Sequence, residues 1–103
     1  MSKFENVSVV KKANVYFDGK CVSHNIELAD GTSKSVGVIL PATLTFNTGA
    51  PEIMELIEGV ANVTLAGETA PTTYRGGESF NVPGDSSFEI EVVEPVHYVC
   101  HFG

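Results

Sequence analysis

The segment from Gly76 to Val92 constrains the chain most. It reads Gly-Gly-Glu, then Ser79-Phe80-Asn81-Val82, then Pro83-Gly84-Asp85-Ser86-Ser87, then Phe88-Glu89-Ile90-Glu91-Val92. Apolar residues recur at every second position on both sides of Pro-Gly, the period of a strand with one face buried. Pro83 has no amide donor and a fixed φ, so it holds Val82 extended and stops that strand. Gly84 is then free to take the positive φ of a sharp reversal. Two strands meeting at a tight corner are the expectation, with Phe88, Ile90 and Val92 inward and Glu89 and Glu91 in water. A helix is excluded here.

The remainder follows the same alphabet. Residues 1–13 read as an N-terminal arm or edge strand, 16–20 as a turn and 21–28 as a strand, with Asp30-Gly31 as a hairpin signal. Val36, Val38 and Ile39 suit a buried strand that Pro41 ends. Over 43–47, Leu44 and Phe46 share one face and Thr43, Thr45 and Asn47 the other. Residues 51–58 stay open. Pro51 can occupy the first position of a short helix with Gly59 past its end, yet the same apolar spacing fits a strand. Further strands are expected at 60–65, 88–93 and 96–102, with 69–73 as loop. About eight to ten short strands without a confident helix describe an all-β sandwich or closed barrel. At 103 residues this is a single domain, 1–103.

Composition bounds function. With 43% apolar residues the chain is no disordered segment, and no run of about 18 apolar residues offers a membrane span. The first residues lack an apolar signal core, so a cytoplasmic location is expected. There Cys21 and Cys100 stay reduced. A net charge of −7 with only six Lys plus Arg disfavours nucleic acid or an anionic membrane as partner. The same balance means that any bound anion must find gathered cations or oriented N–H groups.

Gly77-x5-Pro83 followed by Ser86, Ser87 and Phe88 resembles the second sequence motif of the cupin superfamily, with Phe88 where metal-binding cupins carry histidine. Glu52-x6-Gly59 resembles the second half of the first cupin motif, but Thr45-Phe46-Asn47-Thr48 stands where its His-x-His pair belongs. Over residues 16–102 a closer likeness appears in Tyr16-Phe17-Asp18-Gly19-Lys20, Ser35-Val36-Gly37-Val38-Ile39-Leu40-Pro41, Pro51-Glu52-x-Met54, Phe80-Asn81-Val82-Pro83-Gly84 and Glu94-Pro95-x-x-Tyr98-x-Cys100. In this order and spacing these runs resemble the pyrimidine/purine nucleoside phosphorylase family of single-domain cupins. The resemblance implies a cupin-like β-barrel (double-stranded β-helix, or jelly roll) in which 51–58 is a strand. It also implies a homodimer that splits purine and pyrimidine nucleosides with phosphate, a pentosyltransferase giving ribose 1-phosphate and free base. No cofactor beyond the phosphate co-substrate is expected.

Glu52 reads either as a surface residue beside Pro51 or as a pocket carboxylate that binds ribose hydroxyls and steadies positive charge on the sugar. With His101 it forms the catalytic candidate set. Thr45, Asn47, Asn81 and Tyr98 are polar at positions taken as inward, and buried polar groups need partners such as a sugar. For phosphate the candidates are Lys20, Lys34, Arg75 beside Gly76-Gly77, protonated His101, and the Ser86 and Ser87 hydroxyls. The substrate-binding set is thus Thr45, Asn47, Arg75, Asn81, Ser86 and Tyr98. No metal site is expected: His97 and His101 lie about 13 Å apart along a strand, and His24 is isolated. Cys100 and His101 point to opposite faces, which makes Cys100 a packed residue rather than a nucleophile. A non-catalytic small-molecule-binding barrel has the same pattern and is the alternative.

Overall fold

The computed structural model describes residues 2–102. Nine strands run in chain order: β1 Ser8–Val9, β2 Asn14–Tyr16, β3 Cys21–Glu27, β4 Ser33–Ile39, β5 Ala42–Asn47, β6 Glu52–Leu65, β7 Thr72–Arg75, β8 Ser79–Val82 and β9 Ser87–Phe102. Phe17–Gly19 forms one turn of 3-10 helix. All strands are antiparallel members of one sheet with the path β1-β3-β4-β9-β6-β7; β2 adds to β3, β5 to β9 and β8 to β6. The hydrogen-bonded path is rolled but does not close into a ring. No helix among the described residues is long and apolar enough to cross a membrane.

The spine is the β6–β9 pair, in register from Glu52 opposite Phe102 to Leu65 opposite Phe88, with irregularities between Leu56 and Ala61. Each strand has different outer neighbours on its two halves. On β9 these are β5 at 87–92 and β4 at 96–101; on β6 they are β8 at 52–55 and β7 at 60–63. The irregular stretch is the crease. Gly59 sits there with φ 109°, and a Cβ on it would lie 2.3 Å from the Pro95 carbonyl oxygen. A bulge absorbs what glycine and proline cannot give a regular ladder. The expected breaks at Gly59 and Pro95 are therefore bends within two continuous strands. Folding at the crease buries Leu44, Val63 and Ile90 of one half against Ile39, Leu56, Val82 and Val96 of the other. Each large side chain so buried contributes about 1.5–3 kcal/mol.

One open reading is resolved and two local expectations change. Residues 52–58 are strand, because β8 and β9 satisfy their backbone on both sides. Thr72 and Thr73, read as loop, pair with Val63 and Asn62. At the corner the positive φ falls on Asp85 (49°) rather than Gly84. Gly84 is needed for space, since an added Cβ would meet the Gly49 carbonyl oxygen at 3.0 Å. Thr48 secures this corner: its hydroxyl donates to the Pro83 carbonyl (2.7 Å) and accepts from the Ser86 amide (3.0 Å).

Candidate active site

Alternation along β9 sorts its polar residues. Val96, Tyr98 and Cys100 are buried on the inner face, so His97 and His101 look outward. The inner face borders a cavity of about 350 Å³ within the roll. One side is polar and neutral: Asn14, Ser23, Asn25 and Ser35 from β2, β3 and β4. The Asn14 amide donates to the Ser23 hydroxyl oxygen (3.3 Å) and to Asn25 Oδ1 (3.1 Å). Tyr98, only 7% exposed, places its hydroxyl 3.5 Å from Cys21 Sγ. Burial drives the Tyr98 phenol far above its ordinary range, followed by its contact with Cys21, so it stays neutral at physiological pH.

Further round, Glu52 opens β6 and lies half-buried on the same lining as Cys100. Burial raises the Glu52 carboxyl above the usual carboxylate range, and the Cys100 thiol offsets part of that rise. The Cys100 thiol is pushed up to about 12, first by burial and then by the charge of Glu52, with Ser35 acting in the other direction. Thr45 and Asn47 line the rim from β5. Phe46 and Phe88 stack at 5.4 Å, and Phe17 meets Phe46 edge-on at 5.2 Å and 77°. Phe17 and Asp18 both have φ 54°, a left-handed conformation costing about 1–2 kcal/mol per non-glycine residue. The fold therefore holds an aromatic residue at the cavity mouth in a conformation it would not choose alone.

Of the sequence candidates, Glu52, Thr45, Asn47 and Tyr98 come together here. His101 does not join them from inside. Its Nε2 donates to Glu55 Oε1 (2.9 Å) and its Nδ1 accepts from Lys34 Nζ (2.9 Å), on the outer face. That face holds a larger, mostly apolar hollow of about 640 Å³ beneath Ser2, Lys3 and Phe4. Asn81 also faces outward, because Phe80 and Val82 take the core positions on either side. Asn81 and His101 border a groove of about 460 Å³ that reaches Glu52 only at the edge of the roll.

Arg75 is exposed and lines none of these spaces. The glycine amides beside it are occupied, Gly76 by the Gly59 carbonyl (3.2 Å) and Gly77 by the Leu56 carbonyl (2.8 Å). The Arg75 amide itself donates to the Glu78 carboxylate at 2.7 Å. No cradle for an anion is left there. Ser86 is tied to Thr48 at the corner, and Lys20 is exposed. Among the described residues no Lys or Arg lines the 350 Å³ cavity.

The neutral wall escaped the sequence reading. Ser23 and Asn25 occupy the polar phase of a strand read from Val22, Ile26 and Leu28, and Asn14 lies between the expected arm and turn; the spacing 23, 25 was the available signal. Nor does the donor set suit the metal of metal-binding cupins. The cavity lining offers one carboxylate, Glu52, and one high-pKa thiol, Cys100, without imidazole, and the described residues contain no cluster of three His, Cys, Asp or Glu able to hold a metal.

A rolled antiparallel sheet around a lined lumen gives this chain a small cupin-like fold. The fold recurs in Bacillus subtilis oxalate decarboxylase at TM-score 0.66, covering 85% of this chain and 27% of that one; at 17% identity the likeness concerns fold alone. The family model described as pyrimidine/purine nucleoside phosphorylase matches residues 11–102, and the chain belongs to that family. Proteins of that name from Nocardia farcinica and Dechloromonas aromatica are 76% and 71% identical over 103 residues, covering all of both chains. A crystal structure from Acinetobacter sp. ADP1, described as a protein of unknown function, superposes at TM-score 0.96 with 50% identity over 98% of each chain.

Proposed function

We propose that this chain is a broad-specificity nucleoside phosphorylase, a pentosyltransferase that moves the ribosyl group of purine and pyrimidine nucleosides to phosphate without a metal. The observation that carries the reading is a carboxylate, Glu52, held with Cys100 at the lumen in a member of this family. Phosphate oxygen forms a bond to C1′ as the bond from C1′ to the base breaks. The electron pair leaves with the base, which takes up a proton, and the products are ribose 1-phosphate and free base. Glu52 is the catalytic residue that accepts ribose hydroxyls and steadies the positive charge developing on the sugar. Tyr98, Thr45 and Asn47 position the sugar. The aromatic mouth takes the base by stacking, which is blind to the edges that distinguish purines from pyrimidines. That blindness accounts for loose specificity.

A cytoplasmic homodimer is part of the same proposal. The outer face of β4, β9 and β6 exposes Ile57 beside Val36 and Val38, and Lys3, Lys34, His97 and His101 make it less acidic than the chain as a whole. The test is release of free base from uridine, adenosine, inosine and guanosine by chelator-treated protein, with and without phosphate. Turnover of several, only with phosphate, is expected. Binding without turnover, read as a nucleoside-dependent rise in Tm, favours a non-catalytic barrel instead.

A further inference from the structure

We infer that Ser23 and Asn25, oriented by Asn14, are the phosphate subsite, an inference that rests on phosphorolysis in the lumen. The cations favoured by sequence stand elsewhere, Lys34 bonded to His101 on the outer face and Arg75 exposed with its neighbouring amides occupied. An oxyanion entering this cavity therefore meets neutral donors. Such donors suffice, because amide and hydroxyl groups form charge-assisted hydrogen bonds to an anion without a formal positive charge.

The wall is oriented for this. Asn14 gives its amide hydrogens to Ser23 Oγ and Asn25 Oδ1, so the acceptor end of Asn25 is engaged and its Nδ2 is left as a donor. Ser23, accepting from Asn14, keeps its own hydroxyl hydrogen to donate. Glu52 is the only acid among the described lining residues. It lies on β6, three strands from β3 along the sheet, about 14 Å around the curved surface. The carboxylate and the neutral donors therefore enter the lumen from different strands. Neutral donors also leave the phosphate its charge, and so its nucleophilicity.

The test is steady-state base release from inosine with inorganic phosphate varied, comparing the full chain with Asn25→Asp, which keeps shape but replaces the donor. KM for phosphate is expected to rise about tenfold or more, with KM for inosine and Tm unchanged. Asn25→Ala, which adds no charge, gives the same split. A change confined to inosine KM, shared equally by both substrates, or absent overturns the subsite, as does a loss of phosphate affinity in Arg75→Ala alone. A wild-type chain that releases no base with phosphate sinks phosphorolysis itself. The subsite is then decided separately by whether inorganic phosphate raises Tm in the wild type and not in Asn25→Ala.

Discussion

Cys100 and Glu52 line the same lumen, from β9 and β6, and the two groups act on each other in opposite senses: the thiol stabilises the carboxylate, while the carboxylate makes the thiol harder to ionise. The net effect leaves Glu52 above its ordinary range. A raised carboxyl favours folding while protonated and loses that contribution as pH rises from the unfolded value through the folded one. Ionising Glu52 therefore costs the fold stability.

Glu52→Gln tests that cost. Base release should fall about a hundredfold or more, while Tm at neutral pH should equal or exceed that of the wild type. The gap in Tm should close as pH falls below the raised value and Glu52 becomes protonated. A variant that loses stability at neutral pH, with a gap independent of pH, contradicts the account.

Removing the thiol gives a second prediction. Cys100→Ala removes the thiol that holds Glu52 down, so the acid limb of the kcat/KM profile should move to higher pH. Cys100→Ser, which restores a donor, should return it. A Cys100 that only packs would lower kcat in both variants without moving the limb.

How much of this was legible beforehand varies with the kind of information needed. The alternation of Phe88, Ile90 and Val92 fixes an inward face from local spacing alone, and the Pro83-Gly84 corner is visible because those residues limit their own backbone. The crease is not visible so easily. Gly59 and Pro95 look like two strand ends until the strands are placed side by side, when each is seen to need the other. Asn81 is out of phase with Phe80 and Val82 in the sequence, but only their burial across the sheet says which of the two faces is the lumen. Arg75 beside two glycines resembles an anion cradle only while the carbonyls of Leu56 and Gly59 that occupy those amides are out of view. Contacts across the sheet, absent from any local window, made these differences.

The crease supplies a stability prediction. Gly59→Ala brings a Cβ to 2.3 Å from the Pro95 carbonyl oxygen at a φ of 109°. Nearby backbone cannot yield cheaply, so urea unfolding should show a loss of about 3 kcal/mol. Gly67→Ala is a useful comparison: it shares the positive φ (85°) but has open space, and should lose less.

Both cysteines are buried and free, and burial raises both thiols. A thiol reagent at about pH 8 should react slowly with the native chain, since the thiolate is the reactive form. Two thiols should appear on denaturation. Fast labelling of Cys100 in the native state would mean that the lumen pair is not as described.

The most direct measurement is phosphorus NMR of chelator-treated protein mixed with inosine and inorganic phosphate, with the base quantified in the same sample. The account predicts a sugar-phosphate resonance growing in step with hypoxanthine as inorganic phosphate disappears. Base released without a sugar phosphate would mean water, not phosphate, is the acceptor; an unchanged spectrum from folded protein would contradict phosphorolysis outright.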